Sequence, residues 1–93
     1  MRCRGWTGSY YIYGDGYKQD MFGVEYVQRV GEWHRVERVE AFIASDKNGA
    51  EVYEGDPVYY EKVPQARGAA KLYDKWLIEQ GFIIKELGKK GTD

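Results

Sequence analysis

Residues 45–58 read Ser-Asp-Lys-Asn-Gly-Ala-Glu-Val-Tyr-Glu-Gly-Asp-Pro-Val, and they decide the local fold because they set two turns around one short strand. Asn48-Gly49 is typical of a hairpin loop, where glycine supplies a positive φ. Gly55-Asp56 marks a second corner, and Pro57 then opens a strand at an edge or a bulge because proline has no N–H for the ladder.

The length of the hairpin loop follows from which residues it places opposite each other. A two-residue loop at Asn48-Gly49 sets Asp46 against Glu51, two like charges that repel. A four-residue loop over 46–49 instead pairs Ser45 with Ala50, and it also pairs Ile43 with Val52. We therefore predict the four-residue loop, with Gly49 at a positive φ and the Asp46 carboxylate capping the turn.

Outward from this stretch, alternating apolar residues and turn signals predict a mostly β chain. In the run 23–30 the residues that share one parity and are expected to be half-buried are Val24, Tyr26, Gln28 and Val30. The predicted strands cover about 9–13, 23–30, 37–44, 58–63 and 82–87, and the tail 88–93 is expected to fray. The resulting class is α+β: a strongly bent antiparallel sheet or a small barrel with one helix and a short final strand.

The one helix is predicted over about 65–80, after Pro64 and before Gly81, which suits the αL cap of a helix C-terminus. Its apolar residues recur at helical spacing. We expect the helix to cover an open face or end of the sheet with these side chains: Leu72, Tyr73, Trp76 and Leu77.

Length and composition limit the function classes. The 93 residues predict a single domain over 1–93, and 43% hydrophobic residues are enough for a modest core. Net charge is −1, which does not favour non-specific binding to nucleic acid. No apolar run is long enough to span a membrane and the N-terminus has no signal-peptide core, so a cytoplasmic protein without a membrane role is predicted.

The sequence shows no assembled catalytic or metal-binding set. The only cysteine, Cys3, and the only histidine, His34, carry no motif spacing that favours a nucleophile and its base. The acidic residues lie in turns, where aspartate caps backbone N–H groups, so Asp46 and Asp56 are interpreted as turn formers. We predict no enzyme activity, no catalytic residues, no metal and no cofactor.

Aromatic residues are the best candidates for a functional surface, since the chain has nine tyrosines and three tryptophans. Tyrosine, tryptophan and arginine are enriched in protein interfaces, while aromatic rings beside basic groups also bind single-stranded nucleic acid. A third interpretation is that the rings fill the core and the arginines pair with glutamates. The candidate interaction surface comprises Tyr11, Tyr13, Trp33, Arg35, Tyr59 and Tyr60.

Two segments, covering about a quarter of the chain, resemble the YopX-like phage and prophage protein family. Residues 4–14 are similar to its opening Arg-Gly, then Gly, aromatic, apolar, Tyr, Gly pattern, and residues 46–58 resemble its Asp-Lys-Asn-Gly turn followed by Glu-Gly-Asp. The chain departs from the pattern at 43–45 and at Pro57. The resemblance implies a phage or prophage protein with a mostly β, SH3-like barrel, and it implies no enzyme activity.

These observations together predict a non-enzymatic, phage-derived accessory or regulatory protein that binds another protein in the bacterial cytoplasm. The expected partner is a host or phage protein, and self-association is a further expectation because small open sheets have free strand edges. The alternative is a nucleic-acid-associated small β-barrel module.

Overall fold

The computed structural model of the protein describes residues 1–63 and 65–85, and it is dominated by antiparallel strands. The predicted α+β, mostly β class is confirmed, with one short helix. The sheets in the described part of the chain are open and none is closed into a barrel, so the SH3-like barrel is not confirmed. The chain forms two compact units, Met1–Phe42 and Ile43–Asp93.

The strands are short and most are joined by tight turns. Their bounds are β1 Cys3–Trp6, β2 Tyr11–Gly14, β3 Gly16–Gln19, β4 Glu25–Arg29, β5 Glu32–Val36, β6 Arg38–Ser45, β7 Glu51–Tyr53, β8 Pro57–Tyr60, β9 Ala66–Ala69 and β10 Ile83–Ile84. A 3₁₀ turn over Leu72–Asp74 leads into the helix α1, Lys75–Glu79.

The first unit is built from two antiparallel sheets, with strand orders β2-β1-β6 and β3-β4-β5. Only single residues separate β2 from β3 and β5 from β6, and the chain bends at these two points, Asp15 and Glu37. The core of this unit is small and consists of Cys3, Ile12, Val27 and Val36. Position 5, beneath this core, requires glycine, because a Cβ there would lie only 2.5 Å from Cγ1 of Val36.

The half-burial predicted along the run 23–30 is confirmed for Val24, Tyr26 and Gln28. Val27, at the alternate position, is fully buried, and Val30 departs from the prediction because it is 93% exposed. The reason is that Val30 does not belong to the strand: Arg29 pairs with Glu32, so Val30 and Gly31 form a two-residue hairpin loop. Both have positive φ, which is the geometry of a type I′ turn.

The core of the second unit lies between the β10-β8-β9 sheet, the β6–β7 hairpin and the helix. Strand β6 starts in the first unit, where it pairs with β1, and ends in the second beside β7. The fully buried side chains include Val52, Val58, Ile78 and Ile83.

The hairpin between β6 and β7 has a shorter loop than predicted. The backbone N–H of Asp46 donates to the carbonyl of Ala50 at 2.9 Å, so Asp46 rather than Ser45 is opposite Ala50. The N–H of Ala50 donates to the Asp46 carboxylate at 3.0 Å, and this hydrogen bond stabilises the observed register. The predicted cap by Asp46 and the positive φ of Gly49 are both confirmed.

The predicted long helix over 65–80 is wrong, because the first part of that segment is a strand and only a short later part is helical. Residues 66–69 form β9 against β8, and Gly68 has a φ of 103°, which a helix does not accept. Only Lys75–Glu79 is α-helical. Its predicted end is confirmed: Gly81 has a positive φ, and the N–H of Phe82 donates to the carbonyl of Leu77, as in a Schellman cap.

The final strand is confirmed only over Ile83–Ile84, which pair with Tyr60 and Tyr59. Phe82 and Lys85, also in the predicted range, are not part of the strand, while 86–87 and the predicted frayed tail, 88–93, lie outside the described residues. No helix in the described part of the chain is long and apolar enough to cross a membrane.

Candidate interaction surfaces

The outward side of the β2-β1-β6 sheet carries a cluster that we call the aromatic–arginine face. Its members are Arg4, Trp6, Tyr11, Tyr13, Arg38 and Glu40. They share this side because Cys3, Gly5 and Ile12, at the alternate positions, point into the core. The sequence therefore forms this cluster through strand alternation and register.

Rings and guanidinium groups stack on one another across this face. The rings of Trp6 and Tyr11 meet edge to face at 4.9 Å between centroids, and Tyr13 lies 6.1 Å from Tyr11. The guanidinium of Arg4 lies 4.1 Å from the centre of the Tyr11 ring, and that of Arg38 lies 5.6 Å from the Trp6 ring. The two guanidinium–ring contacts are favourable because the face of an aromatic ring attracts a cation.

Glu40 balances part of the positive charge on this face. It accepts from Nε of Arg4 at 2.7 Å and from Nε of Arg38 at 3.1 Å. Hydrogen bonding to Glu40 raises the pKa of Arg38. Arg4 is almost fully buried, while half of the Arg38 side chain is exposed. The face thus presents Tyr13 and Arg38 to solvent above an ion pair that fixes Arg4.

Trp33 and Arg35, the other predicted candidates in this unit, lie on a different sheet. Both are on β5, two residues apart, so they share one side of the β3-β4-β5 sheet. Lys18 of β3 places its ammonium group 4.4 Å from the Trp33 ring. The structure therefore divides the four predicted residues of the first unit between two sheets rather than assembling one surface.

Tyr59 and Tyr60 belong to the second unit, on β8. Consecutive strand residues point to opposite sides, and accordingly Tyr60 is 40% exposed while Tyr59 is half-buried. The prediction that one ring of this pair is exposed is thus confirmed for Tyr60.

The largest aromatic exposure in the second unit lies at residues that were predicted to be core. We call this cluster the apolar patch: Leu72, Tyr73, Trp76 and Phe82. Trp76 is 61% exposed and Tyr73 is 75% exposed. The predicted burial of the first three of these side chains is wrong, and only Leu77 of the predicted set packs against the core, beside the fully buried Ile78.

Two rings of this cluster contact each other, because the Trp76 and Phe82 rings are 6.0 Å apart. Leu72 and Tyr73 lie in the 3₁₀ turn that leads into the helix. Helical spacing in the sequence therefore did not tell whether these side chains meet the core or solvent.

The buried acidic residues of the second unit are fixed by donors within the unit. The carboxylate of Asp46 accepts the backbone N–H groups of Asn48, Ala50 and Lys85 at 2.8–3.0 Å. The ammonium of Lys85 lies 3.2 Å from the Asp56 carboxylate. These contacts assign Asp46 and Asp56 to the architecture, as the sequence predicted.

Asp74 is a third buried carboxylate, which the sequence analysis did not single out. It accepts from Nη2 of Arg67 and from the backbone N–H of Lys71, both at 2.9 Å. Because Asp74 lies where the 3₁₀ turn meets the helix, these bonds fix the segment that carries the apolar patch. Its role is therefore to position that segment.

The two side chains considered for nucleophilic chemistry have unequal environments. Cys3 is fully buried, and desolvation raises the pKa of its thiol, which disfavours the reactive thiolate. His34 is half-buried on β5, opposite Val27. Among residues 1–63 and 65–85, no group of three acidic, histidine or cysteine side chains is placed to hold a metal ion.

Comparison with known proteins gives this chain no relatives. It matches no protein-family model, and neither a curated protein nor a solved structure is significantly similar to it.

Proposed function

We propose that this chain is a non-enzymatic accessory or regulatory protein that acts by binding another protein, and that the apolar patch is its contact surface. The supporting observation is the exposure of four large apolar side chains carried by one short segment, two of whose rings contact each other: Leu72, Tyr73, Trp76 and Phe82. Exposed apolar surface that is concentrated in this way marks interaction sites. Tryptophan and tyrosine are also the residue types that most often dominate binding energy.

The patch is presented on a fixed segment, which favours tight binding because little freedom is lost. Asp74 holds its N-terminal end through Arg67 and the backbone of Lys71. The Gly81 cap holds its C-terminal end and sets Phe82 beside Trp76.

The charges beside the patch indicate the chemistry of the partner. Lys71 and Lys75 are exposed, and they are the chain neighbours of Leu72 and Trp76. A complementary partner presents apolar side chains bordered by aspartate or glutamate. We assign the patch to an acidic, amphipathic segment of a host or phage protein.

The test is a comparison of two variants that both remove exposed tyrosine or tryptophan rings. Tyr73→Ala/Trp76→Ala deletes the centre of the patch, and Tyr10→Ala removes a ring of the first unit that is 61% exposed. Proteins captured by the wild-type chain from phage-bearing bacteria are identified, purified and titrated by calorimetry. We expect the double variant to bind at least about 30-fold more weakly, the loss typical of an interface hot spot.

Tyr10→Ala is expected to bind like the wild type. Equal affinity of the wild type and Tyr73→Ala/Trp76→Ala for the purified partner contradicts the proposal, as does the absence of any captured protein that binds directly.

The phage lineage and the bacterial cytoplasm remain parts of this proposal. They are supported by the resemblance of residues 4–14 and 46–58 to the YopX-like pattern. Detection of the chain in cytoplasmic fractions of a lysogenic host tests both, and its recovery only from the envelope counts against them.

A second candidate function, binding of single-stranded nucleic acid, is favoured by the aromatic–arginine face. Tyr13 is 44% exposed and Arg38 is half-exposed above the Trp6 ring, which combines a stacking surface with a cation for phosphate. Fluorescence anisotropy with a labelled single-stranded oligonucleotide tests it. Binding that weakens steeply with salt and is reduced by Arg38→Ala supports it, and no binding at low salt removes it.

A further inference from the structure

The same five-residue turn is built twice in this protein, once in each unit. In the first, Asp20 donates its N–H to the carbonyl of Val24 at 2.9 Å and accepts the N–H of Gly23 at 3.0 Å. In the second, Asp46 makes the same two bonds with Ala50 and Gly49, both at 2.9 Å. The two backbones therefore follow one path.

The aspartate carboxylates cap the two turns in the same way. Oδ1 of Asp20 accepts the N–H groups of Phe22 and Val24 at 2.9 and 3.0 Å. Oδ1 of Asp46 accepts those of Asn48 and Ala50 at the same two distances. The glycines also agree, with φ of 85° at position 23 and 84° at position 49.

The two turns differ at the apex. The second turn carries Lys47 and Asn48, polar residues of the kind that turns usually expose. The first carries Met21 and Phe22, which are 89% and 83% exposed. Since the second turn forms with a polar apex, the backbone geometry does not require these two apolar side chains, and burial does not explain them.

We propose that Met21 and Phe22 form an apolar tip that inserts into an apolar pocket of a partner protein. This goes beyond the proposed function, because the tip lies in the first unit and is a contact site separate from the apolar patch. Methionine and phenylalanine are enriched in the cores of protein interfaces.

The backbone of the turn that carries the tip is fixed before binding, which lowers the entropic cost of insertion. Besides its two capping bonds, Asp20 accepts the hydroxyl of Tyr26 through Oδ2 at 3.1 Å. The turn is thus tied to the β4 strand as well as closed on itself.

The charges behind the tip favour a protein over a membrane surface. A cleft of about 570 Å³ adjoins the turn, and Glu25, Glu37 and Arg35 line it. With Asp20 these groups carry a net negative charge, because three carboxylates stand against one guanidinium. Anionic lipid repels such a surface, whereas a pocket bordered by lysine or arginine attracts it.

The structure supplies a variant that removes the tip and keeps the turn. Met21→Lys/Phe22→Asn copies the apex of the second turn into the first, with the same flanking aspartate and glycine. We expect an unchanged urea midpoint for this apex-copy variant, since the capping bonds come from Asp20 and the backbone. Phe22→Leu is the matched control, because it keeps an apolar side chain at the same place.

The partner is found by site-specific photocrosslinking in bacteria that carry the phage. The photoreactive residue p-benzoyl-phenylalanine replaces Phe22 in one strain and Asn48 in the other, so the polar apex serves as the background. The protein crosslinked at position 22 is identified, purified and titrated with the folded variants. We expect the apex-copy variant to bind about 30-fold or more weakly and Phe22→Leu to bind within a few-fold of the wild type.

Two results overturn the proposal. One is a position-22 crosslinking pattern no different from that at position 48. The other is equal affinity of the purified partner for the wild type and the apex-copy variant. Sedimentation with vesicles of phosphatidylethanolamine and phosphatidylglycerol tests the membrane alternative, and tip-dependent binding to them also overturns the assignment to a protein pocket.

Discussion

Replacement of Asp46 by asparagine tests whether the buried carboxylates hold the architecture of the second unit. Asparagine keeps the oxygen that caps Asn48 and Ala50, but places an NH₂ group where Oδ2 now accepts the N–H of Lys85 at 2.8 Å. Two donors then face each other at a side chain that is 6% exposed. A buried donor without an acceptor costs about 1–3 kcal/mol, and we expect a loss of unfolding free energy of that size.

Asp20→Asn is the control, because its turn is equivalent except at the second oxygen. There the partner is the hydroxyl of Tyr26, which can rotate to accept from the new NH₂ group. We therefore expect a clearly smaller loss for Asp20→Asn than for Asp46→Asn.

The unfolding free energies of both variants are measured by urea unfolding followed by far-UV circular dichroism. The slope of the unfolding free energy against urea concentration is compared between variants to confirm that their unfolded states are alike. The expected Asp46→Asn loss is a large fraction of the roughly 5–15 kcal/mol typical of a domain. A wild-type midpoint for Asp46→Asn refutes the reasoning, and so does a larger loss for Asp20→Asn.

The remaining predictions address packing, backbone strain and pH. Trp76→Ala is expected to leave the melting temperature nearly unchanged, whereas Ile78→Ala, at a fully buried site, should cost about 2–5 kcal/mol in calorimetric unfolding. Val30→Asn should stabilise by about 1 kcal/mol in urea titrations, because asparagine accepts the positive φ of 49° that strains valine. Gly5→Ala should lower stability by about 1–3 kcal/mol in the same titrations, since its Cβ overlaps two buried valines. The backbone N–H of Val24, the largest cause, lowers the pKa of Asp20 in the folded protein, so the stabilisation by its carboxylate is present above the unfolded pKa and is lost as pH falls through the folded pKa. The stability difference between the wild type and Asp20→Asn, measured by unfolding at a series of pH values, should therefore be largest above the unfolded pKa and shrink across that window.

The features that the sequence predicted correctly depend on neighbouring residues. The Asp46 cap, the positive φ of Gly49 and the Gly81 cap each involve groups within about five residues, so local chemistry determines them. The loop length was wrong by one residue, and in the observed register the Ala50 N–H donates to the carboxylate of Asp46. A local pattern identifies the turn but not the hydrogen bonds that close it.

The predictions that were wrong concern features that depend on residues distant in the sequence. Apolar residues at helical spacing after Gly68 predicted one buried side, but Leu72 and Trp76 are both exposed. Whether that side is buried depends on what packs against it, and here Ile78 and Leu77 fill the core instead. Gly68 pairs with Val58 in β9, a non-local contact that overrides helix propensity in the first half of the segment.

For the candidate surfaces, too, the sequence predicted the local grouping of residues but not the long-range one. Strand parity correctly groups Tyr11 with Tyr13, whose rings are 6.1 Å apart, and Tyr11 also contacts Trp6 on the same sheet. It says nothing about which sheet holds Trp33, because that depends on the bends at Asp15 and Glu37. The glutamates expected to pair with arginines do so at Glu40, which joins two of them.

The two equivalent turns provide a way to separate residues needed for shape from residues available for contact. Where capping by Asp20 or Asp46 and a left-handed glycine already determine the backbone, the two apex residues are not constrained by it. Polar apex residues such as Lys47 and Asn48 are expected wherever a turn is exposed to solvent. Met21 and Phe22 occupy the same positions of an equivalent turn, and solvent exposure does not explain them, because exposing apolar side chains to water is unfavourable without a compensating contact. Both turns belong to one chain, so differences in fold do not account for their different apex residues. This contrast supports the contact site that we propose at Met21 and Phe22, which neither turn chemistry nor hydrophobic periodicity identifies.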